Sequence, residues 1–81
     1  MRLDKYLKVT RLIKRRTIAN EACDAGKITV NRIVAKASYN VKIGDIVEVT
    51  LGARSTKVRV TALNEHATKE NALSNYEVIE G

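Results

Sequence analysis

At 81 residues the chain has room for one small domain, and a domain of this size removes only about 60% of its unfolded surface from water, which excludes a deep, lidded cleft. With 44% hydrophobic residues it is too apolar for a disordered chain, yet no apolar run approaches the roughly 18 residues of a membrane span, and the charged N-terminus MRLDKYLKVTRLIKRR does not read as a secretory signal. Fifteen Lys and Arg against nine Asp and Glu leave a net charge of +6 and a pI of about 9.8, which favours a polyanionic partner: nucleic acid first, an acidic membrane or protein second.

Leu3, Tyr6 and Leu7 fall at helical spacing with no Gly or Pro between them, which predicts a first helix over about Leu3 to Val9 and a turn from Thr10 to Lys14. A second helix is predicted from about Arg15 to Ala25, with Ile18, Ala19, Ala22 and Cys23 as one apolar stripe and Gly26 as its left-handed stop. Thr17 and Glu21 are one residue too far apart for a capping box, so the helix start carries no clear marker. Cys23, on the stripe, reads as a small buried hydrophobe rather than a reactive thiol. The period then changes to two. A strand over Lys27–Asn31 points Ile28 and Val30 inward, Asn31-Arg32 begins a tight turn, and Val34-Ala35 makes a short return strand. Ser38 to Asn40 is irregular. Gly44-Asp45 precedes a strand from Ile46 to Leu51, followed by a hairpin loop from Gly52 to Arg54. Its partner strand, Thr56 to Leu63, sets Val58, Val60 and Ala62 inward and Lys57, Arg59 and Thr61 outward. Asn64 to Asn75 is expected to be a polar, mobile connection with one helical turn, and Tyr76 to Ile79 a last short strand. The expected fold is therefore α+β, with two N-terminal helices burying their apolar stripes on a small curled antiparallel sheet.

Chemistry-bearing groups are sparse. One Cys and one His are too few for a disulfide framework or a zinc site, and a lone thiol without a signal peptide fits a reducing cytoplasm. His66 stands in a polar stretch with no nucleophile or carboxylate partner nearby and reads as a surface residue. The four glycines lie far apart, so no phosphate-cradling loop is present. The chain is expected to be a binding module, with no catalysis, metal or cofactor.

The positive charge is concentrated. Arg2, Lys5, Lys8, Arg11, Lys14, Arg15 and Arg16 face only Asp4 within residues 1–16, and everything after them sums to zero. A solvated helix face that merely keeps the domain soluble would not need such concentration. Arg15 and Arg16 sit where the second helix should begin, a position unfavourable for cations unless an anion is expected there. Asp4 has two readings: an acid that orients a neighbouring Lys or Arg, or an acceptor for a sugar hydroxyl or base amino group.

The ordered series Arg2-Leu3-Asp4-Lys5-Tyr6-Leu7, Lys14-Arg15-Arg16-Thr17, Ala19, Gly26-Lys27-Ile28-Thr29-Val30-Asn31, Val41 and Gly44-Asp45 resembles the RNA-binding domain first seen in small-subunit ribosomal protein S4. The resemblance covers roughly residues 1–50. It implies an RNA-binding motif of two helices on a curled sheet, a domain over residues 1–63, and a short acidic segment over residues 64–81. Carried over position by position, it marks Arg2, Asp4, Lys5, Lys8, Lys14, Arg15, Arg16 and Thr17 as RNA-facing, with Lys36 and Lys42 as outer contacts. Standing alone, the domain is similar to the bacterial factors of ribosome-associated quality control. That implies binding to obstructed large ribosomal subunits through an rRNA hairpin and the peptidyl-site tRNA, in support of a factor that tails stalled nascent chains. A cytoplasmic monomer with no membrane partner is expected. Two alternatives stay open: a heat-shock-type factor that recycles large subunits carrying peptidyl-tRNA, and a basic module for an acidic protein. One departure concerns Arg32, where the family usually has Gly after Asn. Either the turn is longer here, or Arg32 is recruited to RNA.

Overall fold

A computed structural model describes residues 1–63 and 75–80. The predicted connection over 64–74, with His66, lies outside the described residues. Helix α1 spans Leu3–Val9, α2 spans Arg16–Asp24, and strands β1 (Ile28–Val30), β2 (Ile33–Val34), β3 (Ile46–Leu51), β4 (Arg54–Val60) and β5 (Tyr76–Glu80) form one sheet in the order β2-β1-β3-β4-β5. Every neighbouring pair is antiparallel. This is the expected α+β arrangement.

The core follows from the two periodicities. Ile28, Val30, Val47, Val49, Val58 and Val60 alternate along β1, β3 and β4 and are all buried on one sheet face. Leu3, Tyr6 and Leu7 of α1 and Ala19, Ala22 and Cys23 of α2 complete the same cluster. Truncating a residue such as Leu7 to Ala would cost about 2–5 kcal/mol. Ile18 departs from the predicted stripe and stands 43% exposed. The small side chains of Ala19, Ala22 and Cys23 let α2 lie close to its neighbours, and Ile18 falls at the margin of that narrow face. Burial raises the Cys23 thiol to about 11, with Asp4 and Asp24 adding to the shift, so it packs as a thiol.

Helix α2 ends as its sequence suggests. Gly26 has φ +74°, its N–H donates to the Cys23 carbonyl at 3.0 Å, and Lys27 N–H donates to the Ala22 carbonyl at 2.9 Å, the paired bonds of a Schellman stop.

The turns and strand ends depart from expectation in several places. The turn after β1 is not lengthened: Val30 pairs with Ile33, leaving Asn31 and Arg32 alone at φ +53° and +70°. Arg32 therefore occupies a position suited to glycine, at a cost of about 1–2 kcal/mol. The return strand is Ile33–Val34 rather than Val34-Ala35, because this short turn closes one residue earlier. Finally, Asn75 belongs to the core rather than to a mobile connection. It is fully buried, and its carbonyl accepts hydrogen bonds from Tyr6 Oη at 2.9 Å and Thr61 N–H at 3.1 Å, which tie the start of β5 to α1. The hairpin between β3 and β4 is also tighter than expected, with β4 beginning at Arg54 and ending at Val60.

Candidate nucleic-acid interface

The N-terminal segment is fixed from below. Leu3 N–H donates to the Tyr39 carbonyl at 2.8 Å, Asp4 N–H to the Ala37 carbonyl at 3.2 Å, and Val41 N–H to the Met1 carbonyl at 2.8 Å. The first turn of α1 is thereby held against the loop between β2 and β3, with Arg2 and Asp4 in defined positions. At the other end of α1, Thr10 Oγ1 donates back to the Tyr6 carbonyl at 2.8 Å, and the buried Ile13 anchors the turn leading to α2. Lys14 and Arg15 then stand exposed on that turn, Arg16 opens α2, and Thr17 follows it on the surface.

Asp4 organises this surface. Its side chain is only 3% exposed, and two guanidinium groups converge on it. Arg2 Nε lies 3.2 Å from Oδ1 and Arg2 Nη2 3.4 Å from Oδ2; Arg16 Nε lies 3.2 Å from Oδ2 and Arg16 Nη2 3.4 Å from Oδ1. Lys5 N–H donates to Oδ1 at 2.8 Å and Asn20 Nδ2 to Oδ2 at 3.5 Å. Burial alone would push the carboxyl up, but the bonds from Arg16, Lys5 N–H and Arg2 outweigh it and hold Asp4 below its ordinary value. Each arginine offers Nε and one Nη to the carboxylate. Both side chains are about half exposed, 53% for Arg2 and 46% for Arg16, so part of each guanidinium faces solvent. The result is a pair of cations, one at the N-cap of α1 and one opening α2, restrained on a shared carboxylate with part of each guanidinium left to meet an anion.

The remaining marked residues are spread around this pair. Lys8 is exposed in the last turn of α1, where its charge also suits the helix dipole. Lys5 is half-buried. Lys36 lines a shallow groove with Arg2, Asn20 and Ser38, which brings it to the same side. Lys42 is exposed in the loop before β3, and its backbone N–H donates to Asp45 Oδ2 at 3.0 Å.

A family model described as the S4 domain matches residues 1–47. The chain belongs to the S4 domain family. The match takes in both helices, β1, β2, and the start of β3. Among its relatives is the "RQC P-site tRNA stabilizing factor" of Streptococcus pneumoniae, 49% identical over 79 residues, covering 98% of this chain and 90% of that protein. The factor of the same name from Halalkalibacterium halodurans is 53% identical over 78 residues, covering 96% and 89%. Among solved structures, trimeric heat shock protein 15 of Vibrio cholerae superposes with a TM-score of 0.89 at 26% identity, covering 96% of this chain and 80% of that one.

Two residues of this S4 domain were not in the predicted set. Asn20 joins the Asp4 cluster from α2. A polar residue one helical turn beyond Arg16 is a faint signal that a single sequence does not single out. Arg11 follows the C-terminus of α1, exposed at φ +63°. Its sequence signal is the missing glycine: α1 ends with no Gly or Asn to take the left-handed position.

Proposed function

We propose that this protein is a non-catalytic RNA-binding factor that occupies obstructed large ribosomal subunits. On this reading it contacts an rRNA hairpin and the peptidyl-site tRNA and supports a factor that adds C-terminal tails to stalled nascent chains. The observation that carries the proposal is the Arg2–Asp4–Arg16 cluster on a basic two-helix surface. The name of the relatives, RQC P-site tRNA stabilizing factor, supports the same assignment. Arg2, Arg16, Lys8, Lys14, Arg15 and Thr17 would meet RNA directly, Lys5, Lys36 and Lys42 would flank them, and Asp4 would act from beneath. The RNA-binding unit would be residues 1–63, working as a cytoplasmic monomer. Among the described residues no helix is long and apolar enough to cross a membrane.

Co-sedimentation tests the proposal. The protein should travel with large subunits from cell lysate, and nuclease digestion should release it. Arg2→Ala and Arg16→Ala should reduce occupancy while leaving the fold intact. Normal occupancy for both variants would refute the assigned face, and a complex that survives nuclease would favour an acidic protein partner. The likeness to heat shock protein 15 supports a second reading, a factor recycling large subunits that carry peptidyl-tRNA. Tail formation measured with and without the protein separates the two.

A further inference from the structure

An open groove of about 450 Å³ lies between the C-terminal half of α2 and the segment that follows β2, beside the Asp4 cluster. Its apolar lining is small: Cys23, Ala35 and Ala37 are buried, and Val34 stands 60% exposed. Short side chains at these positions leave a recess that longer ones would fill. The segment is fixed by hydrogen bonds from Ala35 N–H to the Ile28 carbonyl and from Asp4 N–H to the Ala37 carbonyl, both at 3.2 Å. Arg2 and Asn20, each bonded to Asp4, border the groove on one side. Asp24 and Lys36 also border it, and both are exposed. Neither side chain makes a hydrogen bond or ion pair with a described residue. An anion and a cation thus line one recess without closing on each other. Asp24 is the last residue of α2, whose last turn holds no cation, so the helix dipole disfavours its charge. A carboxylate here also repels phosphate. A ligand that donates hydrogen bonds to Asp24 offsets both effects.

We propose that this groove is a pocket for one unpaired guanine of the bound RNA, with Asp24 accepting from N1–H and the N2 amino group and Lys36 donating to O6 and N7. Of the four RNA bases, guanine alone carries two adjacent donors on one edge and two adjacent acceptors on the next. The donor pair matches a carboxylate, and the acceptor pair matches an ammonium. The base must be unpaired, because in a paired helix its donor edge is occupied and the deep groove admits no side chain to the other. Val34 would lie against the base, and the solvent-facing part of the Arg2 guanidinium would take the adjoining phosphate. The proposal rests on the RNA-binding reading above and adds to its phosphate surface one position at which sequence is read.

Wild-type protein and the D24N, K36Q and R16A variants would be titrated at low salt with short oligouridine RNAs carrying one central guanosine, inosine, 7-deazaguanosine or adenosine. Purified large ribosomal subunits would be titrated in parallel, with a thermal melt of each protein. The wild type should bind the guanosine RNA about tenfold more tightly than the adenosine RNA. It should also prefer guanosine to inosine, which lacks the N2 amino group, and to 7-deazaguanosine, which lacks the N7 acceptor. D24N should bind guanosine and inosine RNAs equally, through loss of affinity for guanosine. K36Q should likewise no longer separate guanosine from 7-deazaguanosine. R16A should bind every RNA and the subunits more weakly while keeping the guanosine preference. D24N should melt at or slightly above the wild-type temperature, since the change removes an acid from a helix C-terminus. Equal binding of all four RNAs by the wild type, or binding of none, would overturn the pocket, as would a guanosine preference that survives D24N. A lowered melting temperature for D24N would give Asp24 a structural role and also overturn it. In each of these cases the RNA-binding reading still stands if R16A loses large subunits. Wild-type affinity of R16A for the subunits would instead strike that reading.

Discussion

Asp4 places a negative charge at the centre of the most positive surface of the molecule, and simple electrostatics says it should weaken RNA binding. The structure gives it another task. It is buried, receives both Arg2 and Arg16, and bonds to the backbone of Lys5 and to Asn20. Two long arginine side chains lose rotamer freedom when they hold phosphates, and a carboxylate that already restrains them reduces that loss. Asp4→Asn should therefore weaken binding by about tenfold, equivalent to about 1.4 kcal/mol, although it raises the net charge by one. Titration of a structured RNA against the wild type and D4N checks this. Tighter binding by D4N would mean that Asp4 acts only as a charge. Asp4→Glu, which keeps the carboxylate, should recover part of the loss if its longer side chain still reaches both arginines.

At the scale of elements, α2 shows stability yielding to position. Its N-cap is Arg15, whose side chain makes no capping bond, and its first turn holds no acid. Replacing Arg15 by Asp should supply a cap and a favourable charge, stabilising the fold by about 1 kcal/mol and raising the melting temperature by roughly 4–8 °C. The same change should weaken RNA binding, so melting and affinity should move in opposite directions. What the sequence made legible follows the same logic. The bounds of α1, the Gly26 stop and the inward residues of β1, β3 and β4 are local consequences of spacing, and they are readable. The burial of Asn75 depends on Tyr6, far away in the chain, and no local pattern announces it. The tight turn at Asn31-Arg32 runs against propensity. Its brevity comes from the tertiary contacts of Asn31, which donates to Asp45 and accepts from Ile46 N–H. Likewise the cations of the candidate site were countable in the sequence, but the convergence of Arg2 and Arg16 on one carboxylate required the packing of α1 on α2. Tyr6→Phe tests such a long-range tie: losing the bond to the Asn75 carbonyl should cost about 1 kcal/mol by denaturant unfolding.

Across the whole molecule, two buried carboxylates join segments that are distant in sequence, and this gives the fold a defined response to acid. Asp4 joins α1 to α2. Asp45 accepts from Tyr39 Oη at 2.9 Å, Asn31 Nδ2 at 3.2 Å and Lys42 N–H at 3.0 Å, joining the turn after β1 to the loop before β3. For each, burial pushes the carboxyl up, but hydrogen bonds and neighbouring charge outweigh it, so both titrate below the ordinary 3.8. A folded value below the unfolded one adds stability that is complete above the unfolded value and lost as pH falls through the folded one. Melting temperature should thus hold steady from neutral pH to about 5 and fall below about 4. Asp45→Asn should be less stable at neutral pH, by about 1–3 kcal/mol, and should lose less on acidification. Salt probes the charge on the opposite side of the balance. Because residues 1–16 carry the whole net charge of +6, binding through them should release counterions at every phosphate contact. Six such contacts would lower affinity about a thousandfold between roughly 50 and 200 mM salt. Arg2→Ala and Arg16→Ala should each reduce the log–log slope by about 1. A shallow slope in the wild type would mean few phosphates are touched, and would shift the interface from the RNA backbone toward an acidic protein surface.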